Sequence, residues 1–276
     1  MLRYRYDGGE IITPAVTKYP DGTFKIDLTL PGNTPEHIGF IWTYGDETEQ
    51  MQLYYMVSSL KESFPCAQFG LFMPYLPNAR MDRVHEASEV FTLKYFCRFI
   101  NSMGFDKVQV IDAHSNVGAA LLDRVENISP KAYIEKAMER AGFDAEKDQL
   151  FFPDEGSMKR YGGMFKAAHL SFGMKKRDWA TGKILGLDVS GDDPKGRRIF
   201  IIDDICAYGG TVFYSAQKLK ELGCGEINVF FTHCENSISE GKLFECGMIN
   251  KIYTTNSLCT LDTEKYPILD IIDCLV

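Results

Sequence analysis

The sequence has no long hydrophobic run. Nowhere do eighteen apolar residues follow one another, so no segment reads as a helix able to cross a bilayer. The opening residues M-L-R-Y-R-Y-D-G-G-E-I-I-T-P lack the apolar stretch of a cleaved leader, and a cytoplasmic location is expected. Cysteine is not scarce, but its patterned use is missing. Cys66, Cys97, Cys206, Cys224, Cys234, Cys246, Cys259 and Cys274 form no C-x-x-C pair and no metal-ligand spacing. That argues against a zinc module and a disulfide framework and predicts reduced core thiols. Low-complexity tracts and solenoid repeats are absent as well. Positive charge is in deficit, 30 Lys and Arg against 38 Asp and Glu, for a net charge of -8. Such a balance argues against a broad electrostatic hold on nucleic acid or on an anionic membrane. Small anions remain as partners, held by local basic clusters.

What is present is an alternation of short apolar runs and amphipathic segments over 276 residues, the pattern of an α/β protein with mostly parallel sheets. Strands are predicted at residues 37–44, 67–75, 107–114, 149–154, 197–204, 226–233 and 251–257. Helices are predicted at 49–62, 87–103, 130–141, 210–222 and 239–245. The segment A-V-T-K-Y-P-D-G-T-F-K-I-D-L-T-L alternates around a Pro-Asp-Gly turn and reads as an N-terminal β-hairpin. A strand ending in Asp before a loop and a helix occurs twice, in V-Q-V-I-D-A-H-S and in I-F-I-I-D-D-I-C. Two α/β domains are therefore expected, 1–128 and 129–276, each a mostly parallel sheet flanked by helices.

The second of these segments continues as I-F-I-I-D-D-I-C-A-Y-G-G-T-V-F. In an open parallel sheet, ligands sit off the carboxyl ends of strands, which places Asp203 and Asp204 at a crevice. Adjacent carboxylates can accept from vicinal sugar hydroxyls. The Gly209-Gly210-Thr211 turn then opens a helix whose first amides and hydroxyl can hold a phosphate. Read alone, the same pattern also describes a solvated loop capping a helix.

Set beside its neighbours, the segment resembles the ribose-phosphate loop of type I phosphoribosyltransferases and of the ribose-phosphate pyrophosphokinase family. Further blocks resemble the latter. M-P-Y-L-P-N-A-R-M-D-R is similar to its P-Y-A-R-Q-D-R segment at Arg80, Asp82 and Arg83. V-I-D-A-H-S is similar to its D-L-H at Asp112 and His114, and F-F-P-D-E-G-S-M-K-R to S-P-D-x-G-x-x-K-R at Pro153, Asp154, Gly156, Lys159 and Arg160. M-K-K-R-D resembles its catalytic K-x-R at Lys175 and Arg177, and K-Y-P-D-G-T its F-P-D-G-E at Tyr19, Pro20, Asp21 and Gly22. Taken singly, His114 reads as a structural histidine, Asp154 as a helix cap, Lys175 to Arg177 as a solvated charge run and Tyr19 as hairpin packing. The blocks carry weight because they occur together in the family's order.

The resemblance implies two tandem type I phosphoribosyltransferase-like domains and a magnesium-dependent enzyme. Its reaction would move the β,γ-diphosphate of ATP to the C1 hydroxyl of a ribose 5-phosphate group, with release of AMP. It implies a magnesium ion on His114 and Asp154, and ATP as co-substrate on Tyr19, Asp21, Arg80, Asp82 and Arg83. Lys175 and Arg177 would act in catalysis from a mobile loop. Asp203, Asp204, Ala207, Tyr208, Gly209, Gly210 and Thr211 would hold the ribose phosphate, in a homo-oligomer of two or more copies.

Departures from the family are equally specific. Its D-T-x-G-T is replaced where Ala207 and Tyr208 stand at the Asp and Thr positions. A small hydroxyl gives way to a large aromatic where the pocket would close on a phosphate monoester. The acceptor is therefore either ribose 5-phosphate or a bulkier carrier of the same group, ADP-ribose. Thr23 stands for Glu and Met81 for Gln. The residues ahead of K-Y-P-D-G-T are expected to lack the family's preceding strand and helix, and the stretch closing on I-L-D-I-I-D-C-L-V is expected to lack its final helix. Two other functions remain: a phosphoribosyltransferase, and a non-catalytic subunit of pyrophosphokinase type.

Overall fold

The structure, a computed structural model, describes residues 1–177 and 184–275, with the backbone alone at 175–177 and 184–186. The chain divides into two compact units, Met1–Ser129 and Pro130–Val276.

In the first unit β1 (Leu2–Tyr6) runs antiparallel to β4 (His37–Trp42), and β5 (Gln68–Phe72), β6 (Lys107–Ile111) and β7 (Val125–Ile128) extend the sheet in parallel, in the order β1-β4-β5-β6-β7. A strand thus does precede the hairpin, contrary to the sequence expectation. Helices α1 (Thr48–Ser63), α2 (Thr92–Ser102) and α3 (Asn116–Leu121) join the parallel strands. Ile38, Phe40 and Trp42 pack with Leu53 and Leu60 of α1 and Phe96 and Ile100 of α2 in one continuous core. Trp42 Nε1 donates to Glu49 Oε2 at 2.8 Å, so a carboxylate in the first turn of α1 both suits the helix dipole and ties the helix to β4. Helix α2 starts at Thr92 instead of Ala87. Ahead of it Glu89 closes a turn, its amide donating to Glu86 and its carboxylate accepting from the His85 amide.

The predicted hairpin is a separate two-stranded sheet, β2 (Ala15–Lys18) and β3 (Phe24–Asp27), paired antiparallel. Gly22 at the turn has φ +88°, a left-handed value that glycine adopts without steric cost.

The second unit opens with α4 (Lys131–Arg140), β8 (Gln149–Phe152) and α5 (Glu155–Tyr161). Then come β9 (His169–Arg177), β10 (Ile184–Gly191), β11 (Ile199–Cys206), α6 (Gly210–Glu221), β12 (Ile227–Cys234), β13 (Lys251–Thr255) and β14 (Leu269–Ile272). The sheet order is β10-β9-β8-β11-β12-β13-β14, parallel except for β10 on β9. Both faces are covered, which is why its strands read as unbroken apolar runs. Phe151, Ile199, Ile201, Val229 and Phe231 pack with Val212, Ala216 and Leu219 of α6. The alternate residues Leu150, Phe152, Phe200, Ile202 and Phe230 pack with Ile134 and Ala137 of α4 and Tyr161 of α5.

In both units the strand of the Asp motif, β6 just ahead of Asp112 and β11 with Asp203 and Asp204, is the third parallel strand counted from the antiparallel edge. The helix expected at 239–245 is not formed. A short 3-10 turn, Asn236–Glu240, stands there instead, followed by turns. All eight cysteines are free thiols, but Cys66 is exposed and Cys224 and Cys246 are half-buried, so only five belong to the core. Among the described residues no helix is long and apolar enough to cross a membrane.

Candidate active site

Helix α5 organises the carboxylates of the second unit. Asp154 caps its N-terminus, the Oδ1 accepting from the Ser157 amide at 3.0 Å, as the ordinary chemistry of a helix start requires. Two residues three apart on α5, hence on one helix face, then reach β11. Ser157 Oγ donates to Asp203 Oδ1 at 2.8 Å, and Arg160 Nη1 donates to Asp204 Oδ2 at 2.8 Å. Three carboxylates singled out from the sequence, Asp154, Asp203 and Asp204, are thereby drawn together at the carboxyl ends of adjacent strands β8 and β11. Their environments differ. Burial pushes the Asp203 carboxyl up to about 7, the charge on Asp204 adds to the rise, and the Ser157 hydrogen bond opposes it. Asp204 instead has the Arg160 guanidinium beside it.

Beyond Asp204 the strand continues to Cys206, and the loop turns at Gly209, which has φ +75°. A Cβ there would stand 2.4 Å from Leu243 Cδ1, so both backbone and packing demand glycine. Gly209 caps α6 without any side-chain hydrogen bond, leaving the first amides of the helix without a side-chain acceptor. Gly210 and Thr211 are exposed beside them. This end can take an anion in a way the capped N-termini of α3 and α5 cannot. Tyr208 is 58% exposed and Ala207 is half-buried. The far side of the loop rests on the segment after β12. A Cβ on Gly241 would come 2.0 Å from the Tyr208 carbonyl oxygen, so that segment and the loop are in direct backbone contact.

Lys175 and Arg177 were expected on a mobile loop. Their backbones instead lie in β9, opposite Leu187 and Ile184 of β10. Their side chains, and residues 178–183 of the D-W-A-T-G-K-I segment, lie outside the described residues. The S-G-D-D-P-K-G segment that follows is tied down, the Asp192 amide donating to Leu170 and the Gly196 amide to Gly223.

In the first unit, Asp112 and His114 at the end of β6 have φ values of 45° and 53°, and Asn78 in the M-P-Y-L-P-N-A-R-M-D-R loop has 62°. Left-handed conformations in non-glycine residues cost energy and gather where geometry serves a function. The same two loops meet at Asp82, a buried carboxylate. Burial pushes its pKa up, but hydrogen bonds from Arg83 and Ser115 and the charges of Arg83 and His114 prevail and hold it below the usual range. Arg83 Nε donates to Asp82 Oδ1 at 2.9 Å. Arg80 is exposed. In the hairpin, Tyr19 is exposed, and Asp21 Oδ1 accepts from the Thr23 hydroxyl at 2.7 Å and its amide at 3.0 Å. These bonds lower the Asp21 pKa. Thr23, standing where the family has Glu, thus holds Asp21 in place.

Sequence reasoning passed over four residues of these constellations: Ser115, Ser157, Gly241 and Leu243. The two serines follow an Asp by three positions, in D-A-H-S and D-E-G-S, and this spacing before a short helix was the available signal. Among the described residues no three His, Cys, Asp or Glu side chains cluster to cage a metal.

No family model matches the sequence. Individual relatives do. A ribose-phosphate pyrophosphokinase of Pyrococcus abyssi is 24% identical over 266 residues, 96% of this chain and 90% of that protein. Ribose-phosphate pyrophosphokinase 2 of Archaeoglobus fulgidus is 31% identical over 195 residues, 68% of this chain and 67% of that one. Among solved structures, phosphoribosylpyrophosphate synthetase from Mycobacterium smegmatis superposes with a TM-score of 0.77 at 19% identity, covering 95% of this chain and 86% of its own. The fold is shared with it, two tandem phosphoribosyltransferase-like α/β domains carrying an N-terminal hairpin.

Proposed function

The chain belongs to the ribose-phosphate pyrophosphokinase family, diphosphate-transferring enzymes, and we propose that it moves the β,γ-diphosphate of ATP to the C1 hydroxyl of a ribose 5-phosphate group. One observation carries this reading. Adjacent carboxylates on β11, held from α5, stand one short loop ahead of a helix N-terminus that opens on a Gly-Gly-Thr turn without a side-chain cap. A vicinal diol and a phosphate on one molecule match those two features in that order.

In the reaction, the C1 oxygen attacks the β-phosphorus and the bond from that phosphorus to the α–β bridging oxygen breaks. AMP leaves with the bridging oxygen, and the hydroxyl proton passes to solvent. Such a transfer depends on alignment and charge neutralisation. Asp203 and Asp204 orient the acceptor through its ring hydroxyls, while Gly209, Gly210 and Thr211 fix its phosphate. Lys175 and Arg177 neutralise the charge that develops on the transferred group. Arg80, Asp82 and Arg83 address the nucleotide. Tyr19 and Asp21 approach adenine from the exposed hairpin of a second copy in a homo-oligomer. Magnesium, when bound with ATP, offsets the charge of the β- and γ-phosphates, and His114 and Asp154 would hold it.

A second reading of the acceptor draws on Ala207 and Tyr208. An exposed tyrosine in the phosphate loop offers a stacking face to a group attached beyond the phosphate, which favours ADP-ribose over the free monoester.

Purified protein with magnesium and ATP, supplied with ribose 5-phosphate or ADP-ribose, should release AMP and yield a product heavier by the diphosphate. Lys175→Ala should lower turnover by orders of magnitude with little effect on folding. AMP from neither acceptor would overturn the reading.

A further inference from the structure

Ser157 is the third residue of α5 and only 1% exposed. Its amide is used by the Asp154 cap, and its hydroxyl stands between two carboxylates, 2.8 Å from Asp203 Oδ1 and 3.3 Å from Asp154 Oδ1. A hydroxyl has a single proton to donate. The shorter contact takes it, so the donor serves Asp203, 46 positions away, instead of its own helix start. Asp203 Oδ1 also accepts the Asp204 amide at 3.1 Å. One oxygen of Asp203 is thus committed to two donors of the protein. Among the described residues Oδ2 accepts no hydrogen bond, and it is the oxygen left to a ligand.

We propose that Ser157 is the positioning residue of the acceptor site: its hydroxyl fixes the rotation of the Asp203 carboxylate so that Oδ2 presents to a ribose hydroxyl. This rests on the assignment of Asp203 to the acceptor in the proposed function. Without the hydroxyl, Asp203 can turn about its terminal torsion, which is broad for a carboxylate, and the orientation for the diol must be recovered on binding. Asp154 also loses a neighbour that stands between it and Asp203. The residues assigned to ATP, Tyr19, Asp21, Arg80, Asp82 and Arg83, all belong to the first unit.

The test compares wild type, Ser157→Ala and Ser157→Cys. The cysteine keeps nearly the volume of serine but donates weakly, which separates a lost donor from a lost atom. The dissociation constants of ribose 5-phosphate and ADP-ribose are measured by calorimetry, and the KM values for acceptor and ATP from AMP release. Both variants should bind the acceptor that the wild type prefers about tenfold more weakly, with the KM for ATP changing less than about twofold. Unchanged acceptor affinity in Ser157→Ala, wild-type affinity in Ser157→Cys, or an ATP KM that rises in step with that of the acceptor would each overturn the assignment. Should the wild type release no AMP, the proposed function falls instead. The binding comparison then decides Ser157 by itself, and a wild type that binds neither acceptor overturns both.

Discussion

Arg160 Nη1 lies 2.8 Å from Asp204 Oδ2, joining a guanidinium on α5 to a buried carboxylate at the end of β11. A residue of a seven-residue helix therefore pairs with one of the two acids proposed to meet the acceptor. Removing it leaves the buried charge without this partner.

Arg160→Leu should destabilise the second unit by about 2–4 kcal/mol, toward the low end of the range for broken buried pairs because the arginine keeps contact with water. Arg160→Lys should recover part of this, since lysine supplies charge but not the planar fork. Urea-denaturation midpoints measure both. A loss under about 1 kcal/mol for the leucine variant would show that the pair contributes little.

Asp203 gives a pH signature. Its pKa in the folded protein is raised from 3.8 to about 7, so between those values the native state binds more protons than the unfolded chain. The stability this group contributes is full below its unfolded value, declines as pH rises through about 7, and changes no further above that. Asp203→Asn cannot ionise. Its melting temperature relative to wild type should rise from pH 5 to pH 8 and then level off. Parallel curves across this interval would show that Asp203 titrates elsewhere.

The parts of the fold legible in sequence were those with enough residues to show a period. Helices α1, α4 and α6 and the double-faced strands β11 and β12 came through, because their apolar spacing follows from what they bury. Helix α5 did not, at seven residues. Asp154 was read both as a cap and as a metal residue, and capping is what its Oδ1 does in the structure, which leaves its role toward magnesium a proposal. The arms β9 and β10 were read as loop because their pairing partners are each other and β8, a relation no local pattern records. Residues 239–245 looked helical, yet they turn at Gly241 to meet the Tyr208 carbonyl, a contact set by tertiary packing. The motifs singled out Asp82, Asp154 and Asp203, but not Ser115 and Ser157, which hydrogen-bond to them.

Gly209 and Gly241 stand on the two sides of one contact, between the loop at 207–211 and the segment after β12. Gly209→Ala would combine a left-handed φ of 75° with a Cβ 2.4 Å from Leu243 Cδ1. The expected loss is about 2–4 kcal/mol from backbone strain and overpacking together. Gly209→Ala combined with Leu243→Ala should relieve the clash but not the strain, so destabilisation should be less than the sum of the single changes. Strict additivity in denaturation midpoints would show that the two sites do not communicate.

The substitution that bears most on the acceptor is Ala207→Asp with Tyr208→Thr, which places in the loop the side chains the family carries there. Tyr208 is exposed, so its replacement should change stability by less than about 0.5 kcal/mol, and a change in activity would then report recognition. Stacking of one base on an aromatic ring contributes about 1–3 kcal/mol, which sets the scale of what Tyr208 can add for an acceptor with an adenine beyond the phosphate. The double variant should therefore raise kcat/KM for ribose 5-phosphate relative to ADP-ribose by about 5- to 150-fold. Tyr208→Phe, which keeps the ring and drops the hydroxyl, should leave the ratio close to that of the wild type. If Phe shifts the ratio as far as Thr does, the hydroxyl and not the ring selects the acceptor. If neither shifts it, Tyr208 takes no part in the choice, and the acceptor is set by the carboxylates and the α6 amides alone.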